Sequence, residues 1–229
     1  DIPIDLSFAF HTDAGIKPDS IIGTLAIFNT KDKENIFPDG TSRMASRDFA
    51  DIMQTEIVED IRSRFLKDWH RRDLWNKKYS EAYRPTVPAV LLELLSHQNF
   101  MDMQFGLTPQ LRFTVSRSIY KSMLKFLAYQ YDTEYVVQPL PVDHFSATLT
   151  SQGNIRLSWR PVMDTLEPTA KPTGYVVYSK TGSQGYDNGK RVQDTTLLIE
   201  NPEPGKMHSF YVTAVNKGGQ SMPSEKLTV

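Results

Sequence analysis

The stretch Phe210-Tyr211-Val212-Thr213-Ala214-Val215-Asn216-Lys217-Gly218-Gly219 decides the fold of the end of this chain. With His208 just upstream, Phe210, Val212 and Ala214 recur at every second position, the period of a strand that buries one face. Gly218-Gly219 then supplies a turn. Working upstream, similar short runs are separated by turn residues: Phe145 to Thr150, Asn154 to Trp159, Gly174 to Lys180, Lys190 to Gln193, Thr196 to Glu200 and Met207 to Asn216, with Glu225 to Val229 closing the chain. Asp187-Asn188-Gly189 is another such turn, and no helical period appears. The expectation is an all-β sandwich of seven strands.

Gln138-Pro139-Leu140-Pro141 is a stiff, extended connector, because each proline fixes its own φ and restricts the residue before it. It divides the chain into a first domain over residues 1–138 and a second over 142–229.

Ahead of the connector the periods are mixed. Leu6-Ser7-Phe8-Ala9-Phe10 alternates like a strand and runs into the polar His11-Thr12-Asp13-Ala14-Gly15, and Ile21 to Asn29 is β-branched and aromatic. From Ser42 onward Ala45, Phe49, Ile52, Met53, Ile57, Ile61 and Phe65 recur every three or four residues, which predicts an amphipathic helix packed on a sheet. Residues 67–86 read as a long functional loop whose aromatics are exposed. Pro88-Ala89-Val90-Leu91-Leu92 is a continuous apolar run suited to a strand buried on both faces and ending at Glu93. A polar loop follows. Thr108-Pro109 then opens a second helix, with Thr as cap and Pro in the first turn, and Ser116, Ile119, Tyr120, Met123 and Leu127 form its buried stripe as far as Tyr131. The first domain is therefore expected to be α/β.

Composition narrows the function. With 26 basic and 27 acidic residues the net charge is -1, so there is no cationic excess to grip phosphates, and nucleic acid is not an expected partner. Cysteine is absent, which excludes disulfides and leaves any metal to His, Asp or Glu. No apolar run approaches the ~20 residues of a membrane span. The opening Asp1-Ile2-Pro3-Ile4-Asp5 has no leader pattern and leads straight into a strand, so a further upstream segment is expected.

Trp159, Gly174-Tyr175-Val176-Val177-Tyr178, Pro204-Gly205 and the Phe210-to-Ser224 run together resemble the fibronectin type III family. In this resemblance Trp159 and Tyr175 take the two aromatic core positions, and the domain serves as a spacer or adhesion module. His208 stands where the family usually has a tyrosine. Its corner hydrogen bond is either made by the imidazole or lost.

In open α/β sheets, ligands bind beyond the carboxyl ends of strands. His11 and Glu93 are both placed there by the reading above. The order strand-His-turn, strand, helix, basic loop, Val87-Pro88-Ala89-Val90-Leu91-Leu92-Glu93, helix resembles the type 3 zinc-dependent N-acetylmuramoyl-L-alanine amidases over roughly residues 4–130. The resemblance implies a partial amidase-like sheet flanked by helices, a periplasmic or extracellular location, and peptidoglycan or another cell-surface glycan as partner. It makes His11 a zinc ligand and Glu93 the carboxylate that takes a proton from the attacking water. It also makes an arginine, Arg71 or Arg72, a substrate-binding residue, with Arg72 carried as the catalytic candidate. Asp13 replaces the family's asparagine, and Leu94-Leu95 replaces its Gly-Phe. The family's other zinc ligands precede the strand with which this chain opens, so zinc is expected only with upstream ligands, unless Asp13 or His97 substitutes. The residues leave two other readings open. One is a non-catalytic glycan or cell-wall binding module using Trp69, Trp75, Tyr79 and Tyr83. The other is a polysaccharide-degrading enzyme such as a lyase.

Overall fold

The computed structural model describes residues 3–15, 18–31 and 33–229. It divides into two compact units, residues 1–134 and 135–229. The Pro139–Pro141 connector lies inside the second unit, where Asn216 donates to the Val137 carbonyl at 2.9 Å.

The first unit is a four-stranded mixed sheet with helices. Its strands are β1 (Ser7–Asp13), β2 (Thr24–Phe28), β3 (Trp75–Asn76) and β4 (Ala89–Ser96), in the order β1-β4-β2-β3. β1 runs parallel to β4, and β2 runs antiparallel to it. Two long helices, α1 (Met44–Arg64) and α4 (Pro109–Tyr131), cover one face. Phe49, Met53, Ile57 and Ile61 of α1 pack there with Val90, Leu92 and Leu94 of β4 and with Leu111, Val115 and Phe126 of α4. The opposite face is thinner. Leu25, Ile27 and Leu91 meet Ala82 of the short helix α2 (Ser80–Tyr83) and the partly buried Ala9. β4 is therefore apolar on both faces, as its composition predicts.

Four sequence expectations change. β4 continues past Glu93 to Ser96, because Leu94 and Leu95 are buried and keep the strand in the sheet. The segment before Thr108 contains a helix, α3 (Phe100–Gly106), whose Asp102 is fully buried. The inner face of α4 is set by Leu111, Thr114, Val115, Ser118, Lys121, Ser122 and Phe126, while Ser116 is exposed. Ile119, Met123 and Leu127 of the predicted stripe do pack against the core, at the margin of a face centred on Lys121, which turns inward, 2.6 Å from Glu56 and 2.8 Å from Asp60 of α1. Finally, Trp69 is core. Its ring meets Phe105 edge-on and its indole N–H donates to the Thr24 hydroxyl at 2.8 Å.

That last contact requires a close crossing. The Thr24 N–H donates to the His70 carbonyl, and a Cβ on Gly23 would sit 2.0 Å from that same oxygen. Gly23 also has φ +83, so both the backbone angle and the space demand glycine.

The second unit is a β-sandwich. One sheet has the order β11 (Gly219–Gln220), β10 (His208–Asn216), β7 (Gly174–Thr181), β8 (Lys190–Val192), with β12 (Leu227–Thr228) also paired to β10. The other is β5 (Asp143–Leu149), β6 (Ile155–Arg160), β9 (Thr196–Ile199). Between them lie Phe145, Ile155, Leu157, Trp159, Tyr175, Val177, Phe210, Val212 and Ala214. Trp159 and Tyr175 are buried and meet edge-on with ring centroids 5.3 Å apart.

Candidate functional site

The parallel pairing of β1 and β4 aligns Ala9 with Leu91 and His11 with Glu93. β2 adds Ile27 opposite Leu91 and Leu25 opposite Glu93. Register partners share a face, so His11, Glu93 and Leu25 form one row directly beyond the apolar row Ala9, Leu91, Ile27. The row lies on the thin face of the sheet. Neither His11 nor Glu93 ends its strand, since β1 runs on to Asp13 and β4 to Ser96.

A break in register between His11 and Asp13 re-aims the end of β1. There Asp13 accepts from the backbone N–H groups of Ala14 at 2.6 Å and Gly15 at 3.2 Å, and pairs with Arg72 at 2.6 Å. Burial works against its charge, but the Arg72 guanidinium and the two N–H groups outweigh it and hold the Asp13 carboxyl below the usual range. Glu93 is displaced the other way. Burial and then the negative charge and hydrogen bond of Asp13 raise its carboxyl, against the opposing pull of Arg72 and His11. Two neighbouring carboxyls with opposite shifts are an arrangement seen at acid–base sites.

The arginines separate. Arg71 turns to α1, pairing with Asp51 at 2.6 Å and donating to Thr55 at 3.0 Å. Arg72 turns to Asp13 and stands over the Trp75 ring, 5.2 Å from its centroid. His11 is exposed, with Nε2 3.7 Å from Glu81 of α2. Lys67, Lys77, Lys78 and Arg84 are all exposed. Of the four aromatics expected on this loop, Trp75 and Tyr79 are exposed, Tyr83 is half-buried and Trp69 is buried.

The loop after β4 closes the edge of the site. Buried Asp102 accepts from the N–H groups of Ile22 at 3.1 Å and Ser96 at 3.0 Å, and from the Asn99 amide at 3.0 Å. Ser96 donates to the Gly15 carbonyl, and His97 shares a hydrogen bond with Thr12. Asp102 was missed in the sequence because a lone acid in Phe100-Met101-Asp102-Met103 carries no signal of its three backbone and amide partners.

A hydrolytic zinc needs about three protein ligands and one open position. Among the described residues no group of three or more His, Asp or Glu is placed to hold a metal. Asp13 is already committed to Arg72, and His97 to Thr12. The residues present do not by themselves fit a zinc ion, and no chemical step is drawn through one.

In the second unit the position of interest is His208. Its Nε2 lies 3.0 Å from the Glu203 carbonyl, and its Nδ1 lies 3.2 Å from the Thr181 hydroxyl. A carbonyl only accepts, so Nε2 carries the proton, and the imidazole makes the upstream backbone bond that a corner tyrosine makes in such sandwiches. Residues 140–229 match the fibronectin type III domain family. Solved structures similar to the chain include domains A168–A170 of titin, at 22% identity over 40% of this chain and 32% of that one, with a TM-score of 0.35. The FN1–FN3 domains of chicken CNTN1 match at 20% identity over 42% and 33%, with a TM-score of 0.36. A human fourth FNIII domain matches at 26% over 40% and 78%, with a TM-score of 0.34. The chain thus spans about a third of the first two. No curated protein matches it. Among the described residues no helix is long and apolar enough to cross a membrane.

Proposed function

We propose that the first domain is part of a secreted, periplasmic or extracellular peptidoglycan amidase that hydrolyses the muramoyl-L-alanine amide bond, and that the sandwich is its accessory module. The observation carrying this reading is the His11–Glu93 register on adjacent parallel strands, with Arg72 and Asp13 beside it. In this reading Glu93 accepts a proton from the attacking water at its carboxylate and returns it to the leaving amide nitrogen. Its raised affinity for protons suits that task. Arg72, oriented by Asp13 and backed by Trp75, binds a carboxylate of the peptide stem. His11 is a zinc ligand. Zinc belongs to this reading only with further ligands from sequence outside residues 1–229, and the 229-residue chain alone is expected to be inactive.

Metal analysis and amide hydrolysis on peptidoglycan fragments test the proposal together. The 229-residue chain is expected to hold zinc weakly and to leave the amide intact, whereas a chain extended upstream gains both properties. In the extended chain Glu93→Gln abolishes turnover and keeps the metal, while His11→Ala loses the metal. Hydrolysis at full rate by the short chain, or unchanged turnover in Glu93→Gln, would refute the assignment. The exposure of Trp75 and Tyr79 beside the site favours a second reading, a glycan-binding module without catalysis. In that case glycan binding persists and no extension confers hydrolysis.

A further inference from the structure

The outer face of the larger sheet in the sandwich is organised differently from the rest of its surface. Tyr175 and Val177 of β7 point into the core, so Val176, Tyr178 and Lys180 point out, and the same alternation puts Tyr211 of β10 outward. Tyr178 and Tyr211 are direct cross-strand partners and stack, with centroids 4.6 Å apart and planes 14° from parallel. A third ring is brought to them by a loop. Between β7 and β8 the chain folds back so that Tyr186 meets Tyr211 edge-on at 4.8 Å.

That loop is pinned at four points by Asp187. Its N–H donates to the Ser179 carbonyl, and its carboxylate accepts from the Ser179 N–H, the Ser179 hydroxyl and the Gly189 N–H. Gly189 has φ +80, and a Cβ there would fall 2.4 Å from Val176 and 2.8 Å from the Tyr178 ring. The sequence therefore fixes an exposed loop against the sheet, and what it gains is the placement of Tyr186. Cations surround the rings. Lys180 and Lys226 each bring an ammonium to within 5.6 Å of the Tyr186 centroid, and Arg191, the register partner of outward Val176, lies on the same face. Asp187 keeps its negative charge, held by the Ser179 and Gly189 donors, and three cations, Lys180, Lys226 and Arg191, outnumber it on this face.

We propose that this face is a binding platform for an acidic polysaccharide, a glycan carrying carboxylates. Tyr178 and Tyr211 stack on each other and the Tyr178 hydroxyl is held by Gln220 at 3.0 Å, so the platform offers a sugar its ring edges and the hydroxyls of Tyr186 and Tyr211. Lys180, Lys226 and Arg191 match the glycan's charge. An acidic peptide would need the cations but not a fixed row of three rings. The proposal does not depend on the first domain being an amidase.

Binding of the 229-residue chain to polygalacturonate is compared with binding to neutral dextran and to poly-glutamate. The chain is expected to bind polygalacturonate, to ignore dextran, and to weaken as salt is added. The double variant Lys180→Gln, Lys226→Gln binds about tenfold more weakly, and Tyr186→Ala weakens binding about fivefold with unchanged thermal unfolding. No binding to polygalacturonate, equal binding to poly-glutamate, or indifference to both variants would overturn it. The double variant keeps all three rings, so a folding defect in Tyr186→Ala leaves the test intact.

Discussion

Lys121 in the first domain and Glu167 in the second are both ionisable and both nearly inaccessible, yet their partners lie at different distances along the chain. Lys121 reaches from α4 to Glu56 and Asp60 on α1, and Ser118 and Lys125 complete the cluster. Glu167 accepts from the N–H and hydroxyl of Thr169, two residues on. Asp164 does the same for the Leu166 N–H. Lys121 is satisfied across the tertiary structure of its domain, and Glu167 within its own turn. A buried charge held at long range is exposed to every change in helix packing, whereas a local cap fails alone.

Lys121→Ala should break the first arrangement most severely. Burial opposes the lysine's charge, but the bonds from Asp60 and Glu56 outweigh this and raise its affinity for a proton, so it is charged where it sits. Removing it leaves two buried carboxylates partly uncompensated, at a cost of about 3–5 kcal/mol. Denaturant unfolding should show the loss in the first-domain transition. A loss below about 1 kcal/mol would mean that the cluster behaves as surface charge.

His208→Phe comes next. It keeps the ring but strands the Glu203 carbonyl and the Thr181 hydroxyl, for about 1–3 kcal/mol in the sandwich transition. His208→Tyr should recover part of this by restoring a donor to the carbonyl. If Phe and Tyr are equivalent, the imidazole bond contributes nothing to the corner. Glu167→Ala should cost about 1 kcal/mol, the size of a lost local cap, and a larger loss would show that Glu167 does more than hold its own turn.

The same contrast explains what could be read from the sequence. Phe210, Val212 and Ala214 state their burial by alternation, because each strand of the sandwich shows one face to the core, and the burial of Trp159 and Tyr175 was legible through the fibronectin type III resemblance. In the first domain β4 is apolar on both faces, so its run did not mark where the strand ends. Lys121 was left out of the inner face of α4 because its partner Glu56 lies 65 residues away in sequence, and α3 was hidden because its anchor, Asp102, is a buried acid. Trp69 read as surface because its polar neighbours dominate the pattern, while the Gly23 crossing that buries it is a tertiary event. Of the candidate site, the histidine, the glutamate and the arginine were legible as residue types. The shared row of His11 and Glu93 and the Asp13–Arg72 pair required the fold.

The smallest expected effect carries the most information about Glu93. It sits in a mostly apolar strand with Leu92 and Leu94 on either side and Leu25 across from it. Burial and the adjacent Asp13 both disfavour its ionised form, while Arg72 and His11 offset them in part. If the carboxyl is kept for chemistry, the strand should tolerate a leucine in its place. Glu93→Leu is then expected to leave first-domain stability unchanged or raised by up to about 1 kcal/mol, since it extends the apolar row and removes a like charge from beside Asp13. The Asp13–Arg72 pair should persist, because both of its members remain. Equilibrium unfolding of the variant against the parent measures this directly. A destabilisation of about 1 kcal/mol or more would show that the Glu93 carboxyl is a structural hydrogen-bond partner of Asp13, and its presence in the strand would need no catalytic explanation.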